Sequence, residues 1–260
     1  MGQRVDFSAN AAIYDSRHGT VLAPEIAREL AYSSGLQPGA HILDVGAGTG
    51  RVAIALAQIA YKVLALDPAL PMLNELRRKA PESQIQTVVG EGAQLPFTRD
   101  HFDAVILARI LYLMADWQTV LRQSYDVLKP GGPLFHEWGN GQADEEWVQI
   151  REKARTLFQD AGVNYPFHPG ARSEAEVHAF IAGLGLVRSK ELPIGPGPRM
   201  TLHDFVGRVV SGELSYIWNV PKHVQESCLP LLKKWCEDTF DLERSVPIPR
   251  ELRWTIYRKK

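Results

Sequence analysis

Apolar residues fall in two rhythms along this chain. The first is a series of short apolar runs: Ile42-Leu43 with Val45, Val63 to Leu66, Ala104 to Leu107 and Leu134-Phe135, with Ile85 to Val89 interrupted by Gln86 and Thr87. Runs of this length, bounded by turn formers, read as strands buried on both faces. They predict strands over His41 to Val45, Lys62 to Leu66, Ile85 to Val89, Ala104 to Leu107 and Pro133 to His136. The second rhythm is helical. Pro24 suits a helix start, and Ile26, Leu30 and Leu36 supply an apolar face before Gly35 and Pro38 stop it. A helix-like segment runs from Arg51 to Ala57. Another spans Pro71 to Lys79, where Arg77, Arg78 and Lys79 suit the carboxyl end of the helix dipole and Pro81 blocks continuation. Trp117, Val120, Leu121, Tyr125 and Leu128 repeat at helical spacing. Strands alternating with helices predict an α/β fold with a mostly parallel, doubly wound sheet.

The pattern changes after Trp138. Helices are expected over Ala143 to Asp160 and Ser173 to Ala182, the latter opened by a capping box of Ser173 and Glu176. Gly185 to Leu192 reads as a strand, and Pro193 to Pro198 as a loop. Helical segments follow at Leu202 to Val210 and Val224 to Phe240. Leu252 to Arg258 alternates apolar and polar residues, as a strand does. Met1 to Gly19 is polar and irregular. The chain is expected to be one domain over residues 1–260: an N-terminal helical segment (1–36), a central core (37–138) and a C-terminal part (139–260).

The densest chemistry lies where the first predicted strand ends. Asp44-Val45-Gly46-Ala47-Gly48-Thr49-Gly50 places an acid before three glycines at alternate positions, and Asp67 ends the second predicted strand. Glycines let a turn take unusual dihedrals and let a ligand approach the backbone. An acid after the second strand can accept both ribose hydroxyls. A dinucleotide fingerprint requires G-x-G-x-x-G, but Arg51 stands where its third glycine belongs. Asp44 would repel a pyrophosphate, whereas it could orient the loop or accept from a ligand's ammonium. An amino acid joined to a nucleoside suits an acid at both ends, and S-adenosylmethionine is such a ligand.

These residues resemble class I S-adenosylmethionine-dependent methyltransferases. Asp44 to Gly50 is similar to their first motif. Leu66-Asp67-Pro68-Ala69-Leu70-Pro71-Met72-Leu73 is similar to the second, in which the acid holds the ribose. Gly90-Glu91-Gly92-Ala93-Gln94-Leu95-Pro96-Phe97 resembles the segment that closes on the adenine. His101 to Ile106 resembles the fourth strand, and Leu128-Lys129-Pro130-Gly131-Gly132 the turn before the fifth. The likeness covers roughly Gln37 to Trp138 and is strongest to the small-molecule group that includes the ubiquinone/menaquinone biosynthesis enzymes. It implies a Rossmann-like, seven-stranded sheet whose last two strands, Leu186 to Leu192 and Leu252 to Tyr257, form an antiparallel hairpin, with the residues between them as a helical cap over the active-site mouth. It also implies a cofactor, S-adenosylmethionine, with S-adenosylhomocysteine as product. The implied cofactor contacts are Asp44, Gly46, Ala47, Gly48 and Gly50 in the turn, Asp67 and Pro68 at the ribose, and Met72, Glu91, Gly92 and Ala93 at the adenine. Tyr14 and Arg17 would fold over the cofactor, and Arg109 would bind its carboxylate or an acidic substrate. The family often has Asp-Ala where this chain has Glu91-Gly92.

Methyl transfer is an in-line displacement that proximity and orientation can largely drive. A base is required only when the acceptor must lose a proton, and His136 and Glu137 are the candidates for one. His168 and His203 are weaker ones. The expected acceptor is a small molecule, methylated on O, N, C or S. A nucleic-acid methyltransferase is the main alternative, but that class often carries Asn/Asp-Pro-Pro-Tyr after the fourth strand, where this chain has Ala108-Arg109-Ile110-Leu111-Tyr112. The formal net charge of −1 gives no basic field to attract nucleic acid or anionic membrane. A dehydrogenase is disfavoured by Arg51 and Asp44, and a non-catalytic cofactor-binding protein remains a further alternative. No run of 18 apolar residues is present, so no membrane insertion is expected. Cys228 and Cys236 fit neither a metal knuckle nor a disulfide framework; no metal centre is expected, and the chain reads as cytoplasmic.

Overall fold

A computed structural model describes residues 7–15, 21–139, 145–163, 169–194, 199–247 and 252–260. Chain contacts divide into two compact units, one made of Phe7–Gly139, Gly170–Ile194 and Arg253–Lys260, the other of Met1–Asp6, Asn140–Pro169 and Gly195–Leu252.

The first unit is an α/β sandwich. Its strands are β1 (His41–Val45), β2 (Lys62–Asp67), β3 (Ile85–Val89), β4 (Ala104–Ala108), β5 (Pro133–Glu137), β6 (Val187–Ile194) and β9 (Leu252–Arg258). They form one seven-stranded sheet in the order β3-β2-β1-β4-β5-β9-β6. The β1–β2, β1–β4, β2–β3 and β4–β5 pairs are parallel, and β9 runs antiparallel to β5. The strand order reverses between β1 and β4, so ligands have a crevice at the carboxyl ends of those strands. Helices α1 (Pro24–Ser34), α2 (Ala53–Gln58), α3 (Leu70–Lys79), α4 (Trp117–Val127) and α6 (Glu174–Gly183) complete the unit, with a 3-10 helix over Ser8–Ile13.

Alternation along the strands assigns residues to two cores. Leu43 and Val45 join Val105, Leu107, Leu121, Leu134 and Val177 on one face, whereas Ile42 joins Ala53, Ala65, Ile106, Phe135 and Trp254 on the other. The central strands are apolar without interruption because both faces are covered. Asp44 is the exception on β1, and it lies on the Ile42 side by the same alternation.

The second unit is built of α5 (Glu145–Asp160), α7 (Leu202–Val210) and α8 (Lys222–Thr239), with a two-stranded antiparallel sheet of β7 (Arg199–Thr201) and β8 (Ser245–Pro247). Its separate core includes Trp147, Phe158, Phe205, Val209, Ile217, Leu232 and Val246. Trp147 stacks on Phe205 with ring centroids 3.7 Å apart. The short β7–β8 pair has no counterpart in the sequence pattern, since three residues are too few to show alternation. Among the described residues no helix is long and apolar enough to cross a membrane.

Candidate active site

The glycine turn connects β1 to α2 at the switch point of the sheet. Gly46 and Ala47 donate backbone hydrogen bonds of 2.7 and 3.0 Å to the Leu66 carbonyl, which lays the turn over the end of β2. Gly48 N–H donates to Asp67 Oδ2 at 2.9 Å. Gly50 sits at φ +86°, and a Cβ there would come within 2.6 Å of Leu76 Cγ, so both backbone and packing demand glycine. Gly48 is different: a Cβ would meet Met72 Cε at an ordinary 3.5 Å. Its missing side chain leaves room beside Met72, a buried residue of α3.

Asp67 is directed by two backbone donors, Gly48 and Ala69, the latter at 2.8 Å to Oδ1. Pro68 follows it, half-buried, into the turn before α3. Asp44 is buried and accepts from the Ala53 N–H at the start of α2, while its Oδ2 has no hydrogen-bond partner. Burial pushes its carboxyl up to about 7, with Asp67 adding to the rise and the Ala53 bond and Arg51 opposing it. An unpartnered buried acceptor calls for a donor, and an amino acid's ammonium supplies one. The acid, the glycine cradle and the second acid therefore fit S-adenosylmethionine.

Arg51, at the end of the turn, donates to both oxygens of Glu137 at 2.6 and 2.9 Å. The Glu137 backbone carbonyl accepts from Arg109 N–H at 2.8 Å. Arg109 adopts φ +62°, a conformation uncommon outside glycine. Gly139 gives it room, since a Cβ there would lie 2.8 Å from Arg109 Cβ. Burial alone would lower the Arg109 guanidinium, but Tyr112, Glu137 and Tyr14 outweigh it and hold the group above its ordinary range. Tyr14 is pushed up to about 12 by burial, against the pull of Arg109. The structure thus brings Tyr14, Arg109 and Glu137 together. Arg17 lies outside the described residues.

Asp15 holds the N-terminal segment to this group. It accepts from Thr49 of the glycine turn and pairs with Lys79 at the end of α3. Sequence reasoning misses Asp15 and Tyr112 in these roles, and it marks Arg51 only as a departure from glycine. A charged residue inside a glycine turn is the available signal for Arg51.

Glu91, Gly92 and Ala93 follow β3, where Gly90 N–H donates to the Asp67 carbonyl at 3.2 Å. Gly92 has a packing reason of its own, because a Cβ would lie 2.9 Å from Val45 Cγ1 and 3.2 Å from Val120 Cγ1. The two base candidates part company: consecutive on β5, they face opposite sides of the sheet. Glu137 meets Arg51, whereas His136 faces α6 beside His178, with ring centroids 6.0 Å apart. Burial pushes the His136 imidazole down to about 3. His168 lies outside the described residues, and His203 is exposed on α7 in the second unit.

Residues 43–136 match the family model described as a methyltransferase domain. The demethylmenaquinone methyltransferase of Renibacterium salmoninarum is 37% identical over 38% of this chain and 41% of its own length. The ubiquinone/menaquinone biosynthesis C-methyltransferase of Vibrio vulnificus is 34% identical over 39% and 42%. The chain thus matches less than half the length of either relative. A solved N-methyltransferase of Haemonchus contortus, in complex with phosphomonomethylethanolamine and S-adenosylhomocysteine, superposes with a TM-score of 0.57 at 14% identity, covering 97% of this chain and 57% of that one. At that identity the likeness concerns the fold alone.

Proposed function

We propose, starting from residues 43–136 as a member of the methyltransferase-domain family, that this protein transfers the methyl group of S-adenosylmethionine to a small organic acceptor. The observation that carries the reading is the pair of acids around the glycine turn: Asp67 directed by Gly48 and Ala69, and Asp44 buried with an unpartnered Oδ2. When bound, S-adenosylmethionine supplies a sulfonium methyl group open to in-line displacement.

In this reading Asp67 accepts from the ribose hydroxyls, with Pro68 beside it. Gly46, Ala47, Gly48 and Gly50 form the cradle. Met72, Glu91, Gly92 and Ala93 surround the adenine, and Asp44 accepts from the ammonium. Arg109 binds the carboxylate, and Tyr14 and Arg17 fold over the cofactor. Arg51 and Glu137 neutralise each other and stiffen the end of the turn. Glu137 has both carboxylate oxygens engaged by Arg51, and His136 faces the opposite side of the sheet, so neither is placed to act as a base. That favours an acceptor needing little help to lose its proton.

The names of the two relatives favour a quinone-related acceptor, and the net charge of −1 favours a small molecule over nucleic acid. The free thiols of Cys228 and Cys236 accord with a reducing, cytoplasmic setting. The test is to incubate the protein with S-adenosylmethionine and a panel of hydroquinones, phenols, amines and RNA, and to follow S-adenosylhomocysteine and methylated product by mass spectrometry. Product is expected from a member of the small-molecule set. Product from RNA alone would replace this function with nucleic-acid methylation.

A further inference from the structure

Away from the glycine turn, three buried side-chain atoms belong to three neighbouring residues: His136 Nδ1 has no hydrogen-bond partner, and Glu174 Oε1 and His178 Nε2 have only each other, as an ion pair 3.4 Å apart. His136 is on β5. Glu174 and His178 stand one turn apart on α6 and therefore share a face. Each of the three offers one ligand atom, and these atoms lie within 4.8 Å of one another.

We propose that His136, Glu174 and His178 bind one divalent transition-metal ion, zinc by the character of the donors, which fastens α6 to β5.

Two imidazoles and one carboxylate suit zinc and its neighbours, whereas magnesium and calcium prefer oxygen donors throughout. Three protein ligands leave a fourth position for water. Ligands about 2.0–2.1 Å from a tetrahedral ion stand roughly 3.3–3.4 Å from one another, and His178 Nε2 and Glu174 Oε1 are already 3.4 Å apart. The His136 ring nitrogen lies within 4.8 Å of both, so a shift of no more than about 1.5 Å brings it to tetrahedral spacing.

The surroundings support a held ion. His136 is 1% exposed, so an ion there would be largely shielded from water. The Glu174 and His178 side chains are 25% and 22% exposed, which gives an ion a way in. The rings of Trp138 and Tyr257 flank the group, with centroids 6.3 Å from His136 and 5.8 Å from His178 respectively. The start of α6 is fixed independently. Ser173 caps it by accepting from Glu176 N–H, the Glu176 carboxylate accepts from Arg172 N–H, and Gly170 and Ala171 donate to the carbonyls of Tyr112 and Leu111. Glu174, in the first turn, is thus presented at a set place before any ion arrives. No sequence motif announces the site, because His136 belongs to a different element from the other two.

The experiment uses the full chain dialysed against EDTA. Zinc is titrated calorimetrically, cobalt(II) is followed by visible absorption, and thermal unfolding is recorded with and without zinc. The expected result is one zinc per chain, the visible bands of four-coordinate cobalt(II), and a zinc-dependent rise in the unfolding midpoint. His178→Ala and Glu174→Gln should each weaken zinc binding by at least about tenfold, while Cys228→Ser leaves it unchanged. Glu174→Gln preserves side-chain shape, so it decides the matter even if His178→Ala folds poorly. Absence of stoichiometric binding, or binding that survives both substitutions, would overturn the assignment.

Discussion

Arg51 and Glu137 form a two-bond ion pair, at 2.6 and 2.9 Å, joining the end of the glycine turn to the end of β5. The Glu137 side chain is 0% exposed and that of Arg51 19%. Removing the Arg51 cation strips a buried carboxylate of both its charged hydrogen bonds and leaves it only the Arg109 guanidinium nearby, which costs up to about 3–5 kcal/mol. Arg51→Met should therefore lower unfolding stability by that order in urea titrations. Arg51→Met/Glu137→Met should recover much of the loss. Arg51→Lys keeps the charge but not the planar fork, so its cost should fall between those of Arg and Met.

Asp44 makes stability depend on pH in the reverse of the usual carboxylate sense. Its folded-state value is about 7 against an ordinary 3.8, so the folded chain holds this proton more tightly than the unfolded chain does. The contribution is fully present below about pH 4 and is lost as pH rises through 7. A separation of that size corresponds to a contribution on the order of 4 kcal/mol. Asp44→Asn should flatten this dependence and make the ligand-free protein more stable at about pH 8, as measured by urea unfolding across pH.

Gly50 and Gly48 separate folding from binding. Gly50→Ala forces a Cβ against Leu76 at positive φ and should cost about 2–4 kcal/mol of stability. Gly48→Ala meets only Met72 at 3.5 Å. It should cost about 1–2 kcal/mol for its backbone conformation while abolishing most nucleoside binding. Chemical denaturation and ligand titration on the two variants distinguish the effects.

Asp15 ties the N-terminal segment to Thr49 and Lys79. Asp15→Ala should change global stability by no more than about 1 kcal/mol, because the segment adds little to either core. It should speed proteolytic cleavage near residue 15 several-fold and weaken S-adenosylhomocysteine binding. Unchanged cleavage would show that the segment is held by other contacts.

The middle of the sheet is legible in the sequence because β1, β2 and β4 are buried on both faces and read as nearly unbroken apolar runs. β1 and β3 have the expected bounds, β2 gains only Asp67, and β9 runs from Leu252 to Arg258 as expected. β6 is shifted, running from Val187 to Ile194, since an edge strand rich in charge carries a weak pattern. Asp44, the glycines and Asp67 announce a ligand turn through their spacing. Arg51–Glu137, Asp15–Thr49 and Arg109–Tyr112 are not legible: each needs the register of the sheet or the path of a loop, and neither has a local sequence signature. His136 and Glu137 look interchangeable as neighbours, until strand alternation sends them to opposite faces.

Calorimetric titration with S-adenosylmethionine, S-adenosylhomocysteine and NAD, on the wild type and on Asp67→Ala, tests the central claim most directly. Micromolar, one-to-one binding of both sulfur nucleosides is expected, and none of NAD. Loss of the two ribose contacts to Asp67 should weaken binding by about 100-fold, in a variant whose folding is confirmed by its melting curve. Absence of nucleoside binding, or affinity for NAD alone, would contradict an S-adenosylmethionine site at the glycine turn.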